Sequence, residues 1–301
     1  MVICPICQTK NNISFFSKLN NYLYYLCKRC LTLFLYPQSN KKQLSNYYKN
    51  FEYRNGLKSE KNIRLRSKKI LLTLKKINSS GKTLLDIGSG FGFFLDEANM
   101  AGFITEGIEP SLKLFRYIDI SNKVHNINFD KYYQVNSTKK FDFITLIHVI
   151  EHINEPKKMF SKITRLLNPN GILYIETPNL NSHLFKAEKQ NYTFLTPPDH
   201  LWIFSKNSFN YFLTRNLTLK LIKSSSYSET EHFMGIIKSI FKKPVDKIKV
   251  IKPAKKVLNI NITLKKRLKM LLFDKVIANL LTPSLNMFEK GSILELYFKK
   301  K

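Results

Sequence analysis

Between residues 82 and 176, short apolar runs of strand length alternate with stretches whose apolar positions recur at helical spacing. Thr83-Leu84-Leu85 ends in Asp86, and a helix is expected over 91–100. A second apolar segment ends at Glu109, where Pro110-Ser111 opens a helix to Ile120. A weak third strand lies at 124–127 and a fourth, charged only at Asp142, at 141–147. Pro156 begins a helix to Leu167, Asn168-Pro169-Asn170-Gly171 reads as a turn, and a fifth strand covers 172–176. This alternation predicts an α/β fold with a doubly wound parallel sheet, whose ligands bind at the carboxyl ends of the strands.

The flanks follow other rhythms. Residues 13–26, rich in Phe and Tyr, suit a hairpin, and 31–36 a short strand stopped by Pro37. A linker helix is expected over 38–53, then a helix over 57–77 with Ile63, Ile70, Leu74 and Ile77 on one face. Beyond the fifth strand, 217–226 and 293–298 read as strands. Between them lies a basic, mostly helical insertion over 232–289, where Leu268, Leu271, Leu272, Val276, Leu280 and Leu281 form one apolar stripe. The expected organisation is therefore 1–36, 37–80 for linker and N-terminal helices, and 81–301 for the main domain.

Composition narrows the class. With 301 residues, 44% hydrophobic and 13% aromatic, the chain is long and apolar enough for a buried core. No apolar run approaches the ~18–20 residues of a membrane span, and the start Met1-Val2-Ile3-Cys4 carries no secretory pattern, so a cytoplasmic location is expected. A formal charge of +29 suits nucleic acid, an anionic membrane surface or acidic substrates. Lysines spread along the chain, with abundant Asn and Ile, equally suit an AT-rich coding bias. The basic insertion beside its apolar stripe would fit a peripheral anionic membrane contact, a lid, or a packed helix with solvated lysines.

All four cysteines fall in the first thirty residues, as Cys4-Pro5-Ile6-Cys7 and Cys27-Lys28-Arg29-Cys30. Two such pairs at ribbon spacing supply four thiolates for one tetrahedral Zn2+, closed to water and hence structural. Disulfides are the alternative, disfavoured in a reducing compartment.

Candidate chemistry concentrates at Asp86-Ile87-Gly88-Ser89-Gly90-Phe91-Gly92. Glycines at alternate positions let a backbone turn tightly and approach a ligand, and the following helix start offers free N–H groups. Dinucleotide-binding folds use a related turn, but here the acid lies inside the motif and the spacing is D-x-G-x-G-x-G. Glu109, ending the next strand, is placed to accept the hydroxyls of a ribose. A glycine turn that serves packing alone is the competing reading.

Together with the blocks FDFITLIHVIEHINEPKKMFSKITRLLNPNGILYIETPN and TPPDHLWIFSKNSF, this turn resembles class I S-adenosylmethionine-dependent methyltransferases, near the ubiquinone-pathway O-methyltransferases. The ribbon followed by LFLYPQSNKKQLSNYY looks like the zinc-binding module of deoxysugar methyltransferases. The resemblance implies a seven-stranded Rossmann-like sheet, closed at one edge by an antiparallel hairpin of the two late strands. It implies that S-adenosylmethionine lies against Asp86, Gly88, Ser89, Gly90 and Gly92, with its ribose on Glu109. The loop His148-Val149-Ile150-Glu151-His152 would then face the transferred methyl, with His148 among the residues that bind the cofactor. In the ubiquinone-pathway enzymes a glutamate stands where His148 stands here, and the acids of that loop help hold a divalent metal.

A hydroxyl acceptor needs a base, and His152 and His200 are the candidates, with Glu151 beside them. Loop ordering is the alternative role for each histidine. His125, His183 and His232 have no obvious partner in sequence. The expected acceptor is a small molecule or a saccharide intermediate. RNA methylation and a catalytically inactive binding protein on the same fold are the rival functions.

Overall fold

The computed structural model describes residues 2–39, 43–44, 59–213, 218–229, 232, 236 and 286–301. Most of the expected linker helix over 38–53 and nearly all of the insertion over 232–289, including its leucine stripe, lie outside the described residues.

In chain order the elements begin with three strands, β1 (Ile13–Leu19), β2 (Tyr22–Cys27) and β3 (Thr32–Leu35). Helix α1 (Glu60–Ile77) buries Ser67, Ile70, Leu71 and Leu74 along one stripe. Then come β4 (Thr83–Ile87), α2 (Phe93–Met100), β5 (Ile104–Ile108), α3 (Leu112–Phe115), β6 (Val124–His125), α4 (Phe129–Asn136) and β7 (Phe141–Ile147). A 3-10 turn at Ile150–His152 leads to α5 (Pro156–Leu166), which has proline in its first turn. The rest is β8 (Leu167–Pro178), α6 (His183–Glu188), β9 (Trp202–Ile203), α7 (Lys206–Leu213), β10 (Leu219–Tyr227) and β11 (Ile293–Lys300). No helix among these is long and apolar enough to cross a membrane.

The strands form two sheets. Seven run in the order β10-β11-β8-β7-β4-β5-β6, and the pairings β7 with β8, β7 with β4, β4 with β5 and β5 with β6 are all parallel. The expected α/β sheet is therefore present, with its strand order reversing at β4, where ligands bind in such folds. Its core includes Leu74 of α1, Leu84 of β4, Leu95 of α2, Phe143 of β7 and Tyr297 of β11. The four-stranded sheet runs β1-β2-β3-β9.

Two local expectations need correction. The helix opened by Ser111, whose hydroxyl caps Leu114, stops at Phe115 instead of reaching Ile120. Ile120 is fully exposed, so no apolar face holds further turns in place. The turn over 168–171 lies inside β8. Phe141 pairs with Leu167 and Phe143 with Ile172, so two residues on β7 oppose five on β8 and the extra ones loop out.

The chain divides into two compact units, one of 1–38, 178–208 and 225–294, the other of 39–177, 209–224 and 295–301.

Candidate functional site

In the unit built on the large sheet, β4 carries Asp86 to its carboxyl end. The side chain is only 2% exposed, and Thr145 of β7 donates to it at 2.6 Å. Burial, only partly offset by hydrogen bonds from Thr145 and Ser89, pushes its pKa up to about 6. The turn that follows has φ of 82° at Gly88, 57° at Gly90 and 82° at Gly92. It is anchored on β5 by Gly88 N and Ser89 N, which both donate to the Ile108 carbonyl, at 2.8 and 3.0 Å. The Ser89 hydroxyl donates back to the Asp86 carbonyl.

The glycines differ in what excludes a side chain. A Cβ at Gly88 would sit 2.5 Å from Val149, whereas one at Gly90 would meet nothing within 4 Å. The middle glycine thus faces open space. Glu109, 5% exposed, accepts Gly90 N at 2.8 Å with one oxygen and Ser111 N at 2.7 Å with the other. Burial nevertheless raises it to about 7, and the charge of Asp86 adds to the rise. Two buried carboxylates without a described cation therefore flank an open glycine turn.

A different arrangement ends β7. His148 has φ of 54°, and its backbone N donates to the Glu176 carbonyl of β8 at 2.9 Å. Its ring lies between two carboxylates, Nδ1 at 3.3 Å from Glu151 and Nε2 at 3.4 Å from Glu176. Burial opposes the charged ring, but Glu151 and then Glu176 outweigh it and push the pKa up to about 10. Glu176 is drawn down to about 2: burial opposes its charge, and His148, Arg66 and the Tyr174 hydroxyl overcome it. That hydroxyl lies 2.6 Å from Glu176 and 3.1 Å from Glu295, and Arg66 pairs with both acids. Glu151 is 0% exposed and accepts the Thr177 hydroxyl at 3.0 Å. His152 closes the 3-10 turn, its backbone N donating to the Val149 carbonyl.

Sequence reasoning named His148, Glu151 and His152 but missed Glu176, Tyr174, Arg66 and Glu295. An acid at the end of an otherwise apolar strand was the available signal for Glu176; nothing in the sequence announces Arg66. His125, expected to be a bystander, bonds Glu106 at 2.8 Å.

In the other unit, the four cysteine sulfurs lie within 4.8 Å of one another, with Cys4 3.6 Å from Cys30 and Cys7 3.6 Å from Cys27. None is in a disulfide. A tetrahedral zinc with bonds of about 2.3 Å sets sulfurs about 3.8 Å apart, so the cluster fits that ion. Each CxxC is followed by a left-handed residue, Gln8 at φ 58° and Leu31 at φ 52°, so the two loops turn alike. His200 lies in the loop before β9, with Nδ1 2.7 Å from the Phe194 carbonyl and its ring stacked on Phe194. A carbonyl only accepts, so Nδ1 carries the proton and Nε2 is the basic nitrogen of the neutral ring.

Residues 59–217, more than half of the chain, match the profile of a family described as a methyltransferase domain. The chain belongs to the methyltransferase domain family.

A ubiquinone biosynthesis O-methyltransferase of Coxiella burnetii (strain RSA 493 / Nine Mile phase I) is 32% identical over 122 residues, which cover 38% of this chain and 49% of that protein. The enzyme of the same description from Pelagibacter ubique (strain HTCC1062) is 33% identical over 123 residues, 36% of this chain and 50% of that one. The chain spans about half the length of these curated relatives. Among solved structures, a SAM dependent methyltransferase from Archaeoglobus fulgidus superposes with a TM-score of 0.53 at 14% identity, covering 83% of this chain and all of that one (100%). The plantazolicin methyltransferase BpumL, in complex with a monoazolic desmethylPZN analog and SAH, gives 0.51 at 13% identity, covering 87% and 90%. Both show the class I methyltransferase fold. Within this methyltransferase domain, the turn at Asp86 and the loop at His148 occupy the carboxyl ends of adjacent strands, β4 and β7.

Proposed function

We propose that the chain transfers a methyl group from S-adenosylmethionine to an oxygen of a small molecule or saccharide intermediate. The observation that carries this reading is the pair Asp86 and Glu109, buried without a described cation on either side of a turn that opens at Gly90. A ligand with a cationic amino-acid part and a ribose meets both needs. Asp86 faces the cationic part through the turn, and Glu109 accepts the ribose hydroxyls while keeping Gly90 in place. Gly88 and Gly92 shape the turn, with Ser89 holding it to Asp86. The donor brings an electrophilic methyl on a sulfonium, so positioning and proton removal fall to the protein. The curated O-methyltransferase relatives favour oxygen as the acceptor atom.

Proton removal falls to His152 or His200. His152 stands at the end of β7, and His200 carries its basic Nε2 in the loop before β9. Glu151 and Glu176 hold His148 as an imidazolium, which suits it to charge balance and orientation and unsuits it as a base. Cys4, Cys7, Cys27 and Cys30 hold a structural zinc. Incubating the purified protein with methyl-labelled S-adenosylmethionine and separate small-molecule, lipid and RNA fractions tests the reading. Label in the small-molecule or saccharide fraction is expected; label in RNA alone would overturn the acceptor class. Calorimetric titration that detects no S-adenosylmethionine binding would overturn the enzyme.

A further inference from the structure

A ribbon of fewer than forty residues has little apolar surface of its own to bury, and it folds by gaining a metal or a partner. Here the four cysteines fit a metal, and β9 supplies a partner. All four residues of β3 are buried, although β3 is a ribbon strand, because β9 pairs with its free edge: Leu33 opposes Ile203 and Phe34 opposes Trp202. Leu35 N donates to the Leu201 carbonyl at 2.9 Å, extending the pairing by one bond. A polar chain runs the same way. Cys30 Sγ lies 3.2 Å from Thr32 Oγ1, which lies 2.9 Å from Ser208 Oγ, and the Ser208 hydroxyl donates to the Leu31 carbonyl at 2.8 Å. Finally, the fully buried Tyr24 of β2 donates its hydroxyl to the backbone carbonyl of His200 at 2.8 Å.

We infer that the four-cysteine cluster sets the conformation of the loop carrying His200, with Tyr24 as the positioning residue for that histidine. The ribbon is thus a working part of the acceptor side as well as a folded appendage. Metal at Cys4, Cys7, Cys27 and Cys30 fixes the two CxxC turns, these fix the ends of β2 and β3, and the two strands hold 200–203. The functional half of this inference rests on the reading that His200 faces the acceptor; the structural half does not.

Trp202 is the sole tryptophan of the chain, is fully buried and has its ring centroid 6.4 Å from that of Phe34. Its emission therefore reports on the β3–β9 pairing. The experiment strips zinc from the full-length protein with a chelator while following metal content, Trp202 emission and peptide-level hydrogen exchange. The expected result is a red shift and a loss of protection over 192–204, in step with zinc release and reversed by adding zinc back. Peptides of β4 and β7 should keep their protection. Zinc release with unchanged Trp202 emission and unchanged exchange over 192–204 would overturn the inference. Loss of protection in β4 and β7 as well would also overturn it, by making zinc a requirement of the whole chain.

Tyr24→Phe keeps the ring and all four thiols. This variant should retain its zinc yet exchange several-fold faster at 199–202. With a labelled acceptor in hand, it should lower kcat while the KM for S-adenosylmethionine stays unchanged. Wild-type exchange in Tyr24→Phe would remove Tyr24 from the proposal. If no fraction accepts label, the functional reading fails while the fluorescence and exchange results still decide the coupling.

Discussion

Two pairs of buried carboxylates stand at carboxyl ends of strands in the large sheet, and they are opposite in character. Asp86 and Glu109 are pushed up to about 6 and about 7, because burial removes water and no described cation replaces it. Glu151 and Glu176 enclose His148, and Glu176 is drawn down to about 2. One pair is left wanting a positive charge and the other supplies its own. The chain carries a formal charge of +29, yet among the described residues no cation reaches Asp86 or Glu109. The difference teaches where a cationic ligand belongs: beside the turn of Gly88, Gly90 and Gly92, where its charge relieves a cost already incurred. At His148 the same charge would meet an imidazolium.

The sharpest way to break the comparison is to remove the internal cation. His148→Ala leaves Glu151 and Glu176 buried without their shared partner, although Arg66 still serves Glu176. Breaking buried pairs costs about 3–5 kcal/mol, and with the His148 side chain 39% exposed the loss should fall at the lower end, about 3 kcal/mol. Denaturant unfolding of the variant checks this. Unchanged stability would mean that the bracket contributes nothing to the fold.

The two pairs should also separate by pH. Glu109 rises from 4.5 unfolded to about 7 folded, so the folded state binds more protons between these values and stability falls as pH climbs through them. A shift of that size corresponds to about 3 kcal/mol, fully incurred above pH 7. Asp86 adds a loss of the same sign between 3.8 and about 6. His148 rises from 6.5 to about 10, so its contribution is complete below 6.5 and disappears toward 10. Glu176, lowered from 4.5 to about 2, contributes above 4.5 and is lost as pH falls to 2. The ligand-free protein should therefore be most stable near pH 4, where the gain from Glu176 is balanced by the loss from Asp86, and decline steadily above it. Thermal denaturation across pH 3–10 tests this, and S-adenosylmethionine should flatten the decline between 5 and 7. A stability maximum at pH 8 without ligand would contradict the account.

Ligand affinity gives a smaller effect. Glu109→Gln presents one good acceptor where the glutamate presents two, to Gly90 N and Ser111 N, and removes the charge. Binding of S-adenosylmethionine should weaken by about 1–3 kcal/mol, the range for hydrogen bonds to charged groups. Calorimetry showing wild-type affinity would shift the ribose elsewhere.

How far these features were visible in the sequence follows the range of the contacts that make them. The sheet was legible because apolar runs such as 141–147 report burial locally. The turn at Asp86 was legible because glycine spacing encodes a backbone path. Helix α4 was missed although Asn128 caps it, its side chain accepting Lys131 N, a local signal left unread. The bracket around His148 was legible only in part, since Arg66 and Glu295 reach Glu176 and Tyr174 from opposite ends of the chain. Strand β9 is two residues long and pairs with β3 from about 170 positions away, so no periodicity announces it. For the same reason the sequence read the ribbon as separate, when its core is shared with 201–204.

The smallest effect on stability tests the ligand side most directly. Gly90→Ala places a methyl where nothing lies within 4 Å, so it creates no clash. At φ 57° the alanine carries a left-handed cost of about 1–2 kcal/mol, and the folded protein should lose little beyond that. Gly88→Ala makes the opposite demand, since its Cβ would press on Val149 at 2.5 Å and the core must shift. If the turn is a ligand cradle, Gly90→Ala should abolish S-adenosylmethionine binding while melting close to wild type, because the methyl occupies the space the ligand needs. Gly88→Ala should lower the melting temperature first and binding in consequence. Should Gly90→Ala bind as the wild type does, the open space over Gly90 is not where the ligand sits, and the pairing of Asp86 with Glu109 needs another explanation.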